Sequence, residues 1–120
     1  MLVAVGISCS VARAATPLRN GDLIFQESCR GTMNDAIKGV TTSISGYQFT
    51  HVGIVWIHQK DTFVIEATRP HVAITSLKEF LLPEAEKACP PVSVLARMKP
   101  RFQSLIPQAI EEARRLVGKD

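Results

Sequence analysis

The sequence predicts an α+β domain with an antiparallel sheet packed on helices. Short apolar or alternating runs at 23–25, 52–57, 62–67, 72–74 and 92–98 read as strands. A long amphipathic stripe appears only late, at 106–117. A length of 120 residues, 46% hydrophobic and 21% charged, allows one domain with a modest core and excludes disordered and collagen-like classes.

Each element has a local cause. Asn20-Gly21-Asp22 is a turn signal, and Leu23-Ile24-Phe25 follows it as a short apolar strand. Residues 29–32 read as loop. Met33, Ala36, Ile37 and Val40 recur at helical spacing. The polar stretch 43–50, with Gly46, delivers the chain to His51. Val52 to Ile57 is a continuous β-branched run, hence a buried strand, and 62–67 returns from it after a four-residue loop at 58–61. Thr68-Arg69-Pro70 breaks the pattern and Val72-Ala73-Ile74 adds a further short strand. Thr75 or Ser76 can cap a short helix through Leu82, with Glu79 spaced for a capping box with Ser76. Val92, Val94, Ala96 and Met98 alternate with Ser93, Leu95 and Arg97, which suits a strand. In the last helix Ile106, Ala109, Ile110, Ala113, Leu116 and Val117 form one stripe; Pro107 fits its first turn and Gly118 its end.

The N-terminus differs in kind. Leu2 to Ala12 is apolar or small, and Ala12-Arg13-Ala14 fits a small-x-small cleavage pattern, so residues 1–14 read as a secretory signal peptide and 15–120 as the mature domain. The alternatives are a buried N-terminal strand and, with weaker sequence support, lipidation at Cys9. The apolar run is about half of a bilayer span, which argues against a transmembrane helix. The expected location is extracytoplasmic, periplasmic or secreted. Cys29 and Cys89 would then remain in an oxidising compartment, where a disulfide between them is one option. Net charge is +3, with the basic residues dispersed, so no nucleic-acid footprint is present. No Cys/His spacing suits a metal, and no cofactor is implied. The oligomeric state is not legible.

Two residues stand out chemically. His51 opens an apolar strand, at a sheet end where a polar side chain can face a cleft as a general base. Glu66 interrupts the returning strand, and a buried carboxylate needs a partner. If Ile57 lies opposite Thr62, Glu66 faces Gly53 and becomes a diagonal neighbour of His51 on the same face. The missing side chain at Gly53 then leaves room beside the imidazole for another element. The carboxylate would orient the ring and stabilise its charge. The plainer alternatives are a solvated histidine at a strand start and an outward-facing edge glutamate. Cys29, just before a short helix, is the only nucleophile candidate within the chain, and a loop or disulfide cysteine is its ordinary reading. His71 reads as a loop histidine that could line the cleft, and Asp22 as a turn and strand-start residue.

Gly21-Asp22-Leu23-Ile24-Phe25, Phe49-Thr50-His51-Val52-Gly53-Ile54-Val55 and Val64-Ile65-Glu66-Ala67 together resemble the permuted papain-like amidases, the YiiX-like cysteine hydrolases related to NlpC-type cell-wall peptidases. Ser76-Leu77-Lys78-Glu79-Phe80-Leu81 and Leu116-Val117-Gly118-Lys119 extend the resemblance, which covers Leu18 to Asp120. It implies a central antiparallel sheet on helices and a Cys-His-polar triad, in which His51 matches the histidine and Glu66 the orienting residue. In the permuted branch the nucleophilic cysteine follows the late Gly-Lys. That segment is not among these residues, and Cys29 does not match it. The expectation is therefore an exported cysteine amidase or peptidase, acting on peptide or amide substrates of cell-wall type, whose C-terminal part with the nucleophile is missing here; such a fragment would be inactive. A non-catalytic ligand-binding module on the same fold is the alternative.

Overall fold

The computed structural model describes residues 2–4, 17–29, 32–40, 43 and 45–120. The expected leader, with its cleavage point after Ala14 and Cys9, lies outside the described residues apart from Leu2–Ala4. The elements are β1 (Leu2–Ala4), β2 (Leu23–Glu27), α1 (Thr32–Val40), β3 (His51–His58), β4 (Asp61–Ala67), β5 (Val72–Ser76), α2 (Leu77–Leu81), β6 (Val92–Ala96) and α3 (Ile106–Arg115), with 3-10 turns at Glu84–Glu86 and Pro100–Leu105. One sheet runs β1-β6-β2-β3-β4-β5. Its pairs from β6 to β5 are antiparallel, and β1 adds in parallel at the β6 edge. This is the α+β, mainly antiparallel sheet that the strand pattern and the resemblance predict.

The central hairpin has the expected register: Gly53 faces Glu66, and Ile57 faces Thr62. The loop is tighter than expected. His58 pairs with Asp61, so the turn is only Gln59-Lys60, with Gln59 at φ 57°. A loop read as four polar residues therefore contains two strand residues, because polarity at an exposed strand end does not prevent pairing.

Strand alternation divides the sheet into two faces. Ile24, Val55, Val64 and Leu95 lie on one face and form the buried core with Phe80 of α2. Gly53 lies in the same face, and a side chain there would come within 2.2 Å of Val64 Cγ1 and 3.0 Å of the Phe80 ring. The space expected beside His51 is thus filled by Phe80. On the opposite face, Leu23 and Ile54 line an apolar cavity together with Ile106, Ala109 and Ile110 of α3. Gly21, at φ 82°, has no room for a side chain because Ile106 packs on it. Leu116 and Val117 of the expected stripe fall beyond α3 and are exposed. Beyond the helix, Gly118 N–H donates to the Val72 carbonyl and Val72 N–H to that of Lys119, which ties the end of this segment to β5.

Two contacts far apart in sequence complete the frame. Arg97 grips Asp22 with two parallel bonds, Nε to Oδ1 at 2.9 Å and Nη2 to Oδ2 at 2.8 Å, and Asp22 is buried. The Arg19 N–H also donates to Asp22 Oδ2 at 2.8 Å. Cys29 and Cys89 form a disulfide, Cα to Cα 5.9 Å.

Candidate active site

The face of the sheet covered by α2 carries the polar residues at one end. Gln26 of β2 stands opposite His51 of β3. The backbone that delivers His51 is fixed just before it: Thr50 N–H donates to the Gln26 carbonyl at 2.8 Å, and Thr50 Oγ1 accepts from Ser28 N–H at 3.1 Å. His51 Nε2 lies 2.6 Å from Glu66 Oε2, with 28% of the histidine side chain and 12% of the glutamate side chain exposed. The diagonal meeting follows from the register alone, since Glu66 faces Gly53 and both share a face with His51. With its proton on Nε2, the ring donates to the carboxylate and turns the Nδ1 lone pair away from it.

Three residues without a site role in the sequence reading support this pair. Thr75 Oγ1 donates to Glu66 Oε1 at 2.5 Å. Phe80 sets its ring 5.8 Å from the imidazole centroid. Gln26 Nε2 donates to the Phe80 carbonyl at 2.7 Å and to Ser93 Oγ at 3.2 Å, so a sheet side chain holds the end of α2. The sequence pattern ends this strand at Ile74, whereas β5 runs on to Ser76 and so puts Thr75 on the face of Glu66. Ser76, not Thr75, caps α2 by accepting from Glu79 N–H at 3.2 Å. The Glu79 side chain does not close the capping box, and instead accepts from Glu84 N–H.

Burial pushes the Glu66 pKa up, but hydrogen bonds from His51 and Thr75 and the histidine's charge outweigh it and leave the carboxyl below its ordinary range. The pair opens into a cleft of about 620 Å³. Ser28, Thr50, Arg69, Glu79, Pro83 and Glu86 also line it. His71 is exposed and is not one of the lining residues. Cys29 is consumed by its disulfide with Cys89, which removes it as a thiol nucleophile. Among the described residues no group of three His, Cys, Asp or Glu side chains could hold a metal. Nor is any described helix long and apolar enough to cross a membrane.

A largely antiparallel sheet, with α2 on the face that carries a histidine held by a strand carboxylate, fits a papain-like class of scaffold. Residues 17–120 match a family described as permuted papain-like amidase enzyme, YaeF/YiiX, C92 family. The chain belongs to that family. Among solved structures it is similar to the crystal structure of the metalloprotein yiiX from Escherichia coli O157:H7, at 27% identity and a TM-score of 0.61, over 84% of this chain and 51% of the other. The chain therefore spans about half the length of that protein. Comparison with curated proteins finds no match.

Proposed function

We propose that this chain is the histidine–glutamate part of an exported cysteine amidase that cleaves peptide-type amides, cell-wall peptides among them, with its nucleophilic cysteine on a segment following Asp120. The observation that carries the reading is the 2.6 Å contact between His51 Nε2 and Glu66 Oε2 at a cleft of about 620 Å³. Membership of an amidase family supports the reaction class. The disulfide and the apolar N-terminal run support export. Removal of residues 1–14 would take β1 with them and leave a five-stranded sheet edged by β6.

In this mechanism His51 Nδ1 takes the proton of the thiol as sulfur bonds to the amide carbon. Glu66 holds the resulting imidazolium through Nε2. The ring then gives its proton to the departing amine as the C–N bond breaks, leaving an acyl-thioester. Water, deprotonated by the same nitrogen, cleaves the thioester to the acid and restores the thiol. The yiiX structure is described as a metalloprotein. Here His51 and Glu66 are bound to each other, Thr75 takes the second carboxylate oxygen, and no third donor side chain joins them among the described residues. This donor set does not fit a metal.

The test is alkylation and turnover in the full-length protein. Iodoacetamide labelling should mark a cysteine after Asp120 and neither Cys29 nor Cys89, and His51→Ala should abolish hydrolysis of peptide amides. Full turnover by His51→Ala refutes the reading.

A further inference from the structure

Glu66 is gripped from two sides, and only the His51 side belongs to the mechanism above. On β5, Thr75 pairs with Val64 while Ala73 pairs with Glu66, so Thr75 is a diagonal neighbour of Glu66 across the second strand boundary. His51 is its diagonal neighbour across the first, displaced the opposite way along the strand. Each partner takes one oxygen: His51 Nε2 stands 2.6 Å from Oε2, and Thr75 Oγ1 donates to Oε1 at 2.5 Å.

We propose that Thr75 is a positioning residue for the catalytic pair: its hydroxyl fixes the Glu66 carboxylate in the rotamer that presents Oε2 to the imidazole. This rests on the amidase reading for its meaning, but its physical content stands on the contact itself. The terminal torsion of a glutamate is broad, so one hydrogen bond does not set the plane of the carboxylate, whereas two bonds from opposite directions do. Threonine suits the task because its β-branched side chain has few χ1 choices. Its backbone is also held. Ser76 caps α2, and Phe80 of that helix lies against the His51 ring, so Thr75 sits at the joint between the strand that reads Glu66 and the helix that reads His51. A bond to an ionised carboxylate is among the stronger protein hydrogen bonds, and Glu66 is largely shielded from competing water.

The charged groups sharing this cleft with Glu66 are His51 from β3, Arg69 from the loop after β4, Glu79 from α2 and Glu86 from the 3-10 turn. Glu79 accepts a backbone bond from Glu84. Thr75 is the neutral donor, so its removal changes the hydrogen bonding of Glu66 without altering the charge of the cleft.

The experiment compares Thr75→Val, which keeps shape and loses the hydroxyl, with Thr75→Ser, which keeps the hydroxyl, in the full-length protein. Glu66 is titrated by carbon-13 NMR of its carboxyl, and kcat/KM for a peptide amide is followed against pH. The valine variant should raise the Glu66 midpoint, move the acid limb of the profile to higher pH and lower kcat about tenfold with KM little changed. Serine should restore both readouts. If valine prevents folding, Thr75→Ala against Thr75→Ser makes the same comparison. An unshifted Glu66 midpoint in the hydroxyl-free variant, or a serine variant no better than it, overturns the proposal. Loss of thermal stability with an unchanged profile also overturns it, since that marks a purely structural threonine. Should His51→Ala keep full turnover, the amidase reading falls by itself, while the NMR midpoint still decides whether Thr75 positions Glu66.

Discussion

Gly53→Ala tests how closely the core and the candidate site are joined. The added Cβ would lie 2.2 Å from Val64 Cγ1 and 3.0 and 3.1 Å from two Phe80 ring atoms. Ordinary carbon contacts are about 3.5–4.0 Å, so the Val64 contact is short by more than about 1 Å. Val64 is fully buried and β-branched, and Phe80 is 2% exposed, so neither yields freely. Overpacking of this kind costs about 1–3 kcal/mol. Alanine recovers about 0.4–1 kcal/mol of that by narrowing the unfolded ensemble. The net expectation is a loss of about 1–2 kcal/mol, seen as a urea midpoint lower by roughly 1 M for a domain of this size. The strain should also push Phe80 from beside the His51 ring, so the proposed amide hydrolysis by the full-length protein should fall at temperatures where the variant is still folded. An alanine variant with the parent midpoint and parent turnover would show that the Gly53 pocket is slack and that the packing argument is wrong.

Three other contacts have measurable consequences. Glu66 has a lowered folded pKa, so its contribution to stability is present above the ordinary carboxylate range and is lost as pH falls through the lowered value; Glu66→Gln should flatten that part of an acid-denaturation curve. Reduction of the Cys29–Cys89 bond, which spans 60 residues, should cost about 4 kcal/mol by chain entropy, read as a fall in Tm on adding dithiothreitol. Arg97→Met leaves the buried Asp22 without its cation and should destabilise by about 3 kcal/mol in a denaturant melt. Arg97→Met with Asp22→Asn together should recover part of that loss.

What was legible in the sequence was what short-range pattern controls. The β3–β4 register follows from one turn and two apolar runs, and it carries Glu66 to Gly53 and hence to His51 without any tertiary information. The Ser76 cap is similarly local. The sequence left open or missed contacts that need a third element. Thr75 reaches Glu66 only once β5 pairs with β4. Gln26 reaches Phe80 only once α2 folds back over the sheet. Arg97 meets Asp22 across 75 positions. The cysteine pairing stayed open because Cβ positions cannot be read from spacing. The gap at Gly53 was visible, but its occupant was not, since any residue of a covering helix could have filled it.

The disulfide also has a topological consequence. Cys29 and Cys89 lie just outside the paired residues Glu27 and Val92, so the bond closes a covalent ring around everything between them. His51, Glu66, Thr75 and Phe80 all lie on that ring, whereas Gln26, Ser93 and α3 lie on its tails. A protease cutting the exposed Gln59-Lys60 turn would break the ring without releasing either half. The product would be a nicked molecule heavier by one water, and it would separate into two pieces only after reduction.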